Sequence, residues 1–144
     1  MDENEKILRE GKVAVVALAA DNDYPYAVPL NYVYANGFIY IHCAKQGHKI
    51  DVLRQNPKCS VCIIEKDEIV PEKFTTYYRS VIAFGYAKFV NDTTEKREAL
   101  ERLAAKYSPG LDPTREIEKS IEAVAIIKLE LEKITGKQSI ELTN

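Results

Sequence analysis

The pair Asn36-Gly37 sits between two runs rich in apolar and aromatic residues, Tyr32-Val33-Tyr34-Ala35 before it and Phe38-Ile39-Tyr40-Ile41 after it. No other short feature constrains this chain as tightly. A two-residue hairpin turn of type I′ needs positive φ at both central positions, and Asn-Gly is the pair that accepts this most readily. Two antiparallel strands are therefore expected, about 26–34 and 38–42. The neighbouring texture extends the pattern. Val13 to Leu18 reads as a buried strand closed by the polar turn Asp21-Asn22-Asp23, and further strands are expected over 58–65, 78–90 and 123–134. Gly85, inside the longest of these, marks a bulge or a close backbone approach, and the stretch around Pro71 reads as a loop or an extended connection.

Helical signals fall between the strands. Residues 1–10 carry Ile7 and Leu8 as their large apolar side chains and stop at Gly11, which suggests a short peripheral helix. A second helix follows Gly47 and ends before Asn56-Pro57. Asp92 and Glu95 have the spacing of a capping box, ahead of an apolar face made by Ala99, Leu100, Leu103, Ala104 and Tyr107. Asp112-Pro113 opens a further short helix. Six strands with helices in the crossovers predict a mainly β chain, an antiparallel barrel with accessory helices, built as a single domain over residues 1–144.

Composition narrows the function classes. Twenty basic and 22 acidic residues nearly cancel, and no Lys/Arg block could track a phosphate backbone, so nucleic acid is not an expected partner. The longest apolar run, Val13 to Ala20, is too short for a membrane helix, and the acidic opening Met1-Asp2-Glu3-Asn4-Glu5 is unlike an export signal. Three cysteines then fit free thiols in the cytoplasm. Cys59 and Cys62 have CxxC spacing, but residues three apart on a strand face opposite sides. Neither a P-loop nor a GxGxxG fingerprint occurs.

The segment from His42 to Lys49 concentrates chemistry. It holds two histidines, Cys43, Lys45, Gly47 and Lys49 at a strand end and a helix start. Cations in a first helical turn oppose the helix dipole, a cost that a bound anion would reverse, with the backbone N–H groups and Lys49 cradling a phosphate. A solvated basic turn is the plainer alternative. A metal site is not expected, because no second paired motif completes a ligand set. The nine tyrosines fit barrel walls and strand pairs, while Tyr77, Tyr78 and Arg79 precede Ser80 at the mouth of the long strand, a cluster suited to a planar ligand or simply to closing the barrel end.

Taken in order, Pro29-Leu30-Asn31-Tyr32-Val33-Tyr34, His42-Cys43-Ala44, Gly47-His48-Lys49-Ile50, Asn56-Pro57, Phe74-Thr75-Thr76, Ser80-Val81-Ile82, Gly85 and Thr135-Gly136-Lys137 resemble the pyridoxamine 5′-phosphate oxidase-related flavoproteins, in the branch with nitroimidazole-resistance proteins. The resemblance spans almost the whole chain. It implies a six-stranded split β-barrel, a homodimer with FMN at the subunit interface, Lys49 on the phosphate, and His42, Cys43 and Ala44 lining the flavin. Pro29, Leu30, Asn31 and Tyr32 would run along its ring, with Tyr78 and Ser80 completing the rim. Where Cys43 stands such proteins often carry serine or glycine, and a thiol is the weaker donor. The expected function is FMN-dependent reduction of small aromatic or nitro compounds with NADH or NADPH as donor. In it His42 would exchange a proton beside the flavin, imidazole being the side chain suited to this near neutrality. A non-enzymatic FMN-binding protein and a split barrel holding haem are the alternatives.

Overall fold

A computed structural model describes residues 2–142. Eleven helices and strands follow one another as α1 Glu3–Glu10, β1 Ala14–Asp21, β2 Tyr24–Leu30, β3 Val33–Ala35, β4 Phe38–Ala44, α2 His48–Gln55, β5 Lys58–Val70, β6 Thr75–Phe89, α3 Thr93–Tyr107, α4 Thr114–Ser120 and β7 Val124–Gln138. All strands join one antiparallel sheet in the order β2-β1-β5-β6-β7-β4-β3. The sheet therefore has seven strands rather than six, and its two edges are not hydrogen-bonded to each other. It still curls round one core, since Val16 and Leu18 of β1 share an apolar cluster with Ile39 and Ile41 of β4.

The extra strand comes from a break where one strand was expected over 26–34. Asn31 and Tyr32 leave the ladder, and β3 restarts at Val33. Tyr32 explains the break. Its side chain is wholly buried and its hydroxyl donates to the Leu8 carbonyl at 2.7 Å, pulling the chain inward against α1. That contact also corrects the expectation of a peripheral first helix: Ile7 and Leu8 belong to the main core, and Gly11 leaves no space for a Cβ between Tyr32 and Ile63. The hairpin at Asn36-Gly37 has the expected backbone, with φ of 55° and 83° and Ala35 opposite Phe38.

Of the two readings of the segment around Pro71, the structure has the extended connection. β5 and β6 run on together to Val70 and Thr75, joined by a 3-10 turn at Pro71–Lys73 and by Phe74 in the left-handed region. Beyond Lys66 and Arg79 neither strand of this arm has a third strand beside it. Serine 139 bonds one end of the arm, its N–H donating to the Tyr78 carbonyl at 2.9 Å, and the turn Ile140–Leu142 packs on β6.

Alternation divides the sheet into two faces. Val81, Ala83, Gly85 and Ala87 of β6 turn inward, while Ser80, Ile82, Phe84 and Lys88 turn outward. At the β7-β4-β3 end the outer face is covered by α3 and α4, whose Leu100, Leu103 and Ile117 pack on Val33, Tyr40 and Ile126. Two polar knots hold α3 there. In its first turn, capped by Asp92 as expected, Glu95 accepts from Tyr40 at 2.8 Å and from Lys128 at 2.9 Å, so that these bonds hold its carboxyl below the usual range. In its last turn the Tyr107 hydroxyl lies 2.8 Å from the Tyr32 carbonyl and 2.7 Å from that of Lys12, and Lys106 donates to the Tyr32 carbonyl at 2.9 Å.

Two expectations about stability follow. Gly85 lies where the register between β6 and β7 shifts, and a methyl there would overlap the Glu130 carbonyl oxygen. Gly85→Ala should cost about 1–3 kcal/mol in urea unfolding, since a backbone carbonyl cannot step aside as a side chain can. Burial lowers the Lys106 ammonium from the ordinary 10.5 to about 8. Between these values the unfolded chain binds more protons than the folded one, so stability gains with rising pH from about 8 to 10.5. Relative to Lys106→Met, the native chain should become progressively more stable across that window, and a constant difference would show that the ammonium is not desolvated.

Candidate functional site

β4 carries the densest chemistry, and its alternation parts residues that the sequence places side by side. Ile39, Ile41 and Cys43 face the inner core, whereas Tyr40, His42 and Ala44 face outward. Cys43 is half-buried against the main cluster, and burial pushes its thiol up, partly countered by the nearby Lys49 ammonium. Its side chain is thus on the opposite face from His42, and the two do not line one surface.

His42 lies in a cleft of about 260 Å³ with Asn31, Leu103, Tyr107, Glu116 and Ser120 among its walls. Asn31 is held at the cleft by donating its amide to the Lys12 carbonyl at 3.0 Å. The floor comes from β4 and the wall from α3 and α4, so the two knots on α3 also set the width of this cleft. Nothing in the sequence tied Tyr107 or Glu116 to His42, because some 65 to 75 residues separate them.

The other residues of the expected ring-binding segment divide by pleat. Pro29 is exposed on the outer face opposite Val15, and Leu30 packs inward. Tyr32 was expected along a flavin ring but sits in the core, with its hydroxyl, N–H and carbonyl all engaged. It is a structural residue that fixes the segment before it. Desolvation raises its phenol far above the ordinary tyrosine value.

At the helix start, α2 begins at Gly47 with φ 146° and no side-chain cap, and open space lies where a Cβ would be. His48 packs edge-on against the Tyr26 ring with centroids 5.0 Å apart. Lys49 is half-buried in this first turn. The histidines therefore diverge, His42 outward and His48 toward β2. Among the described residues no group of three or more His, Cys, Asp or Glu could hold a metal.

Tyr78 and Ser80 lie toward the opposite end of β7 from His42, since Ser80 pairs with Lys137 and His42 with Ile126. Across the sheet, Ser80 on β6 is three strands from Pro29 on β2. Ser80 borders a second cleft of about 260 Å³ with Asn4, Arg79, Gly136 and Lys137. Arg79 belongs to the cluster expected at the mouth of the long strand. It is held by Glu65 at 3.2 Å and Gln138 at 3.0 Å, contacts visible only once β5, β6 and β7 are aligned.

Between these ends the outer face of β1, β5 and β6 is uncovered. Val13, Ile64, Ile82 and Phe84 are 46, 60, 39 and 44% exposed, with the small residues Ala17, Ser60 and Cys62 among them. These side chains lie on one face of the sheet, on neighbouring strands.

Comparison with known proteins agrees with this architecture. A candidate 5-nitroimidazole antibiotic resistance protein from Bacteroides thetaiotaomicron superposes with a TM-score of 0.78 at 24% identity, over 94% of this chain and 82% of its own. The flavocytochrome Anf3 from Azotobacter vinelandii gives 0.79 at 22% identity, over 96% and 67%. A candidate pyridoxamine 5′-phosphate oxidase from Listeria innocua gives 0.67 at 21% identity, over 94% and 95%. No curated protein matches. Among the described residues no helix is long and apolar enough to cross a membrane. The family model described as pyridoxamine 5′-phosphate oxidase matches residues 1–138, and the chain belongs to that family.

Proposed function

We propose that this chain is a flavin-dependent oxidoreductase in which two copies hold flavin mononucleotide between them. The observation that carries the reading is the uncapped first turn of α2 with Lys49 in it, in a chain that matches the pyridoxamine 5′-phosphate oxidase family model over residues 1–138. The inner core is filled with side chains, so a planar ring must lie outside the sheet, where a second copy supplies the other wall. The uncovered apolar face supplies the area for that pairing.

The residues present fit the cofactor. The uncapped first turn of α2 and the Lys49 ammonium suit its phosphate, since a bound dianion reverses the unfavourable placement of cations at a helix start. Pro29 and Ala44, exposed on the outer face, suit the edge of a planar ring. When bound, the flavin supplies hydride transfer from NADH or NADPH and onward reduction of a small aromatic or nitro compound. The chain orients the ring, keeps Asn31 fixed through Lys12, and holds the His42 imidazole where it can pass a proton to substrate. The relative named for nitroimidazole resistance supports the substrate class.

The absorption spectrum of the purified protein should show flavin bands that bleach in stopped-flow mixing with NADH or NADPH and return with a nitroaromatic acceptor. Bleaching by neither donor would overturn the oxidoreductase reading, and a Soret band in place of flavin bands would overturn the cofactor. Lys49→Ala should weaken FMN binding by about 10- to 100-fold in a fluorescence titration, as expected for a charge-assisted contact of about 1.5–3 kcal/mol. Unchanged affinity would remove Lys49 as the phosphate anchor.

A further inference from the structure

The last turn of α3 meets the segment that carries Asn31, and the hydrogen bonds there turn on a single proton. The Tyr107 hydroxyl oxygen lies 2.7 Å from the Lys12 carbonyl and 2.8 Å from the Tyr32 carbonyl, and it accepts from the Tyr32 N–H at 3.0 Å. A phenol has one hydrogen to donate, so it cannot serve both carbonyls fully. Lys106 decides between them. Its ammonium, 3.9 Å from the centroid of the Tyr32 ring, donates to the Tyr32 carbonyl at 2.9 Å and gives that oxygen a donor of its own. The Tyr107 proton is thereby left to the Lys12 carbonyl.

Asn31 is held by the same Lys12 oxygen, to which its side-chain amide donates at 3.0 Å. A carbonyl only accepts, so the amide nitrogen faces Lys12 and Oδ1 is left for another partner. Among the described residues neither Oδ1 nor the second amide hydrogen has one, and Asn31 is an exposed wall of the cleft that His42 and Tyr107 share. Lys12 itself lies between α1 and β1, and among the described residues no helix, ladder or turn bond engages its carbonyl. The direction of that carbonyl therefore depends on two side-chain donors, Asn31 and Tyr107, which fill its two lone pairs.

We propose that Tyr107 is a positioning residue for the flavin site: its hydroxyl fixes the Lys12 carbonyl, the carbonyl fixes the Asn31 amide, and Asn31 turns its remaining polar groups to the ring. This role rests on the flavin reading above and deepens it, because it brings a residue 95 positions from Lys12 into the bonds that set the ring's surroundings. Docking of α3 has other supports. Leu100 and Leu103 pack in the cluster with Val33, Tyr40 and Ile126, and Glu95 is bonded at the opposite end of the helix. Tyr107→Phe thus removes one hydroxyl and leaves the wall of the cleft in place.

The flavin midpoint potential of the FMN-loaded protein, followed by spectroelectrochemistry, reads the hydrogen bonds to the ring without turnover. Asn31→Ala should shift it, and Tyr107→Phe should shift it in the same direction by less. The double variant should match Asn31→Ala alone, as residues that act through one another do. Lys106→Met takes the ammonium from the Tyr32 carbonyl and draws the phenol proton off Lys12, so it should give a smaller shift of the same sign. Where Tyr107→Phe does not fold, Lys106→Met decides in its place. An unchanged potential in Asn31→Ala or in Tyr107→Phe, or single shifts that add in the double variant, would overturn the positioning role and leave the flavin reading standing. A native protein that takes up no FMN would overturn both.

Discussion

A pleated sheet has two faces, and 144 residues supply enough apolar side chains to seal one of them completely. The inner face closes on Val16, Ile39, Ile63, Val81 and Leu129. On the outer face, two helices cover the β7-β4-β3 end, and among the described residues nothing covers the β1, β5 and β6 part. The placement of every candidate residue follows from this partition. Barrels of this size fill their interior with side chains, so a planar cofactor has no room inside, and residues meant for a ligand must be presented outward. His42, Ala44, Pro29 and Ser80 are. Cys43 and Leu30 alternate inward, and Tyr32 is drawn into the core to anchor α1.

Features that depend on neighbours in sequence were legible in the chain itself. Asn36-Gly37 dictates its turn by backbone sterics, Asp92 caps α3 through a bond three residues away, and Gly85 stands at a close approach that only glycine permits. The open and mistaken readings come from long-range contacts. Lys66-Asp67-Glu68 reads as loop or extended connection because one side of the arm is solvated, and cross-strand pairing from Lys66 to Val70 keeps it extended. Tyr32 looks like a wall residue by alternation, but the Leu8 carbonyl 24 residues away claims its hydroxyl and breaks the strand. A site formed by β4, α3 and α4 cannot be read from spacing when its walls lie more than 60 residues apart.

The knots on α3 tie this architecture to the site. Tyr107 and Lys106 share the Tyr32 carbonyl, while Glu95 joins β4 to β7 through Tyr40 and Lys128. Both ends of the helix are therefore fixed to the strand that carries His42 or to the segment that carries Asn31. Half-buried charged contacts of this kind lose much of their worth if one partner is misplaced, which favours a single arrangement over a sliding one. The cleft is fixed on that wall by bonds at both ends of one helix.

On the proposed reading, pairing and cofactor binding are parts of one equilibrium. Each copy holds half of two equivalent sites, so a flavin that bridges the halves binds the pair and not the single chain. By linkage it must then tighten the pair by the factor with which pairing tightens flavin binding.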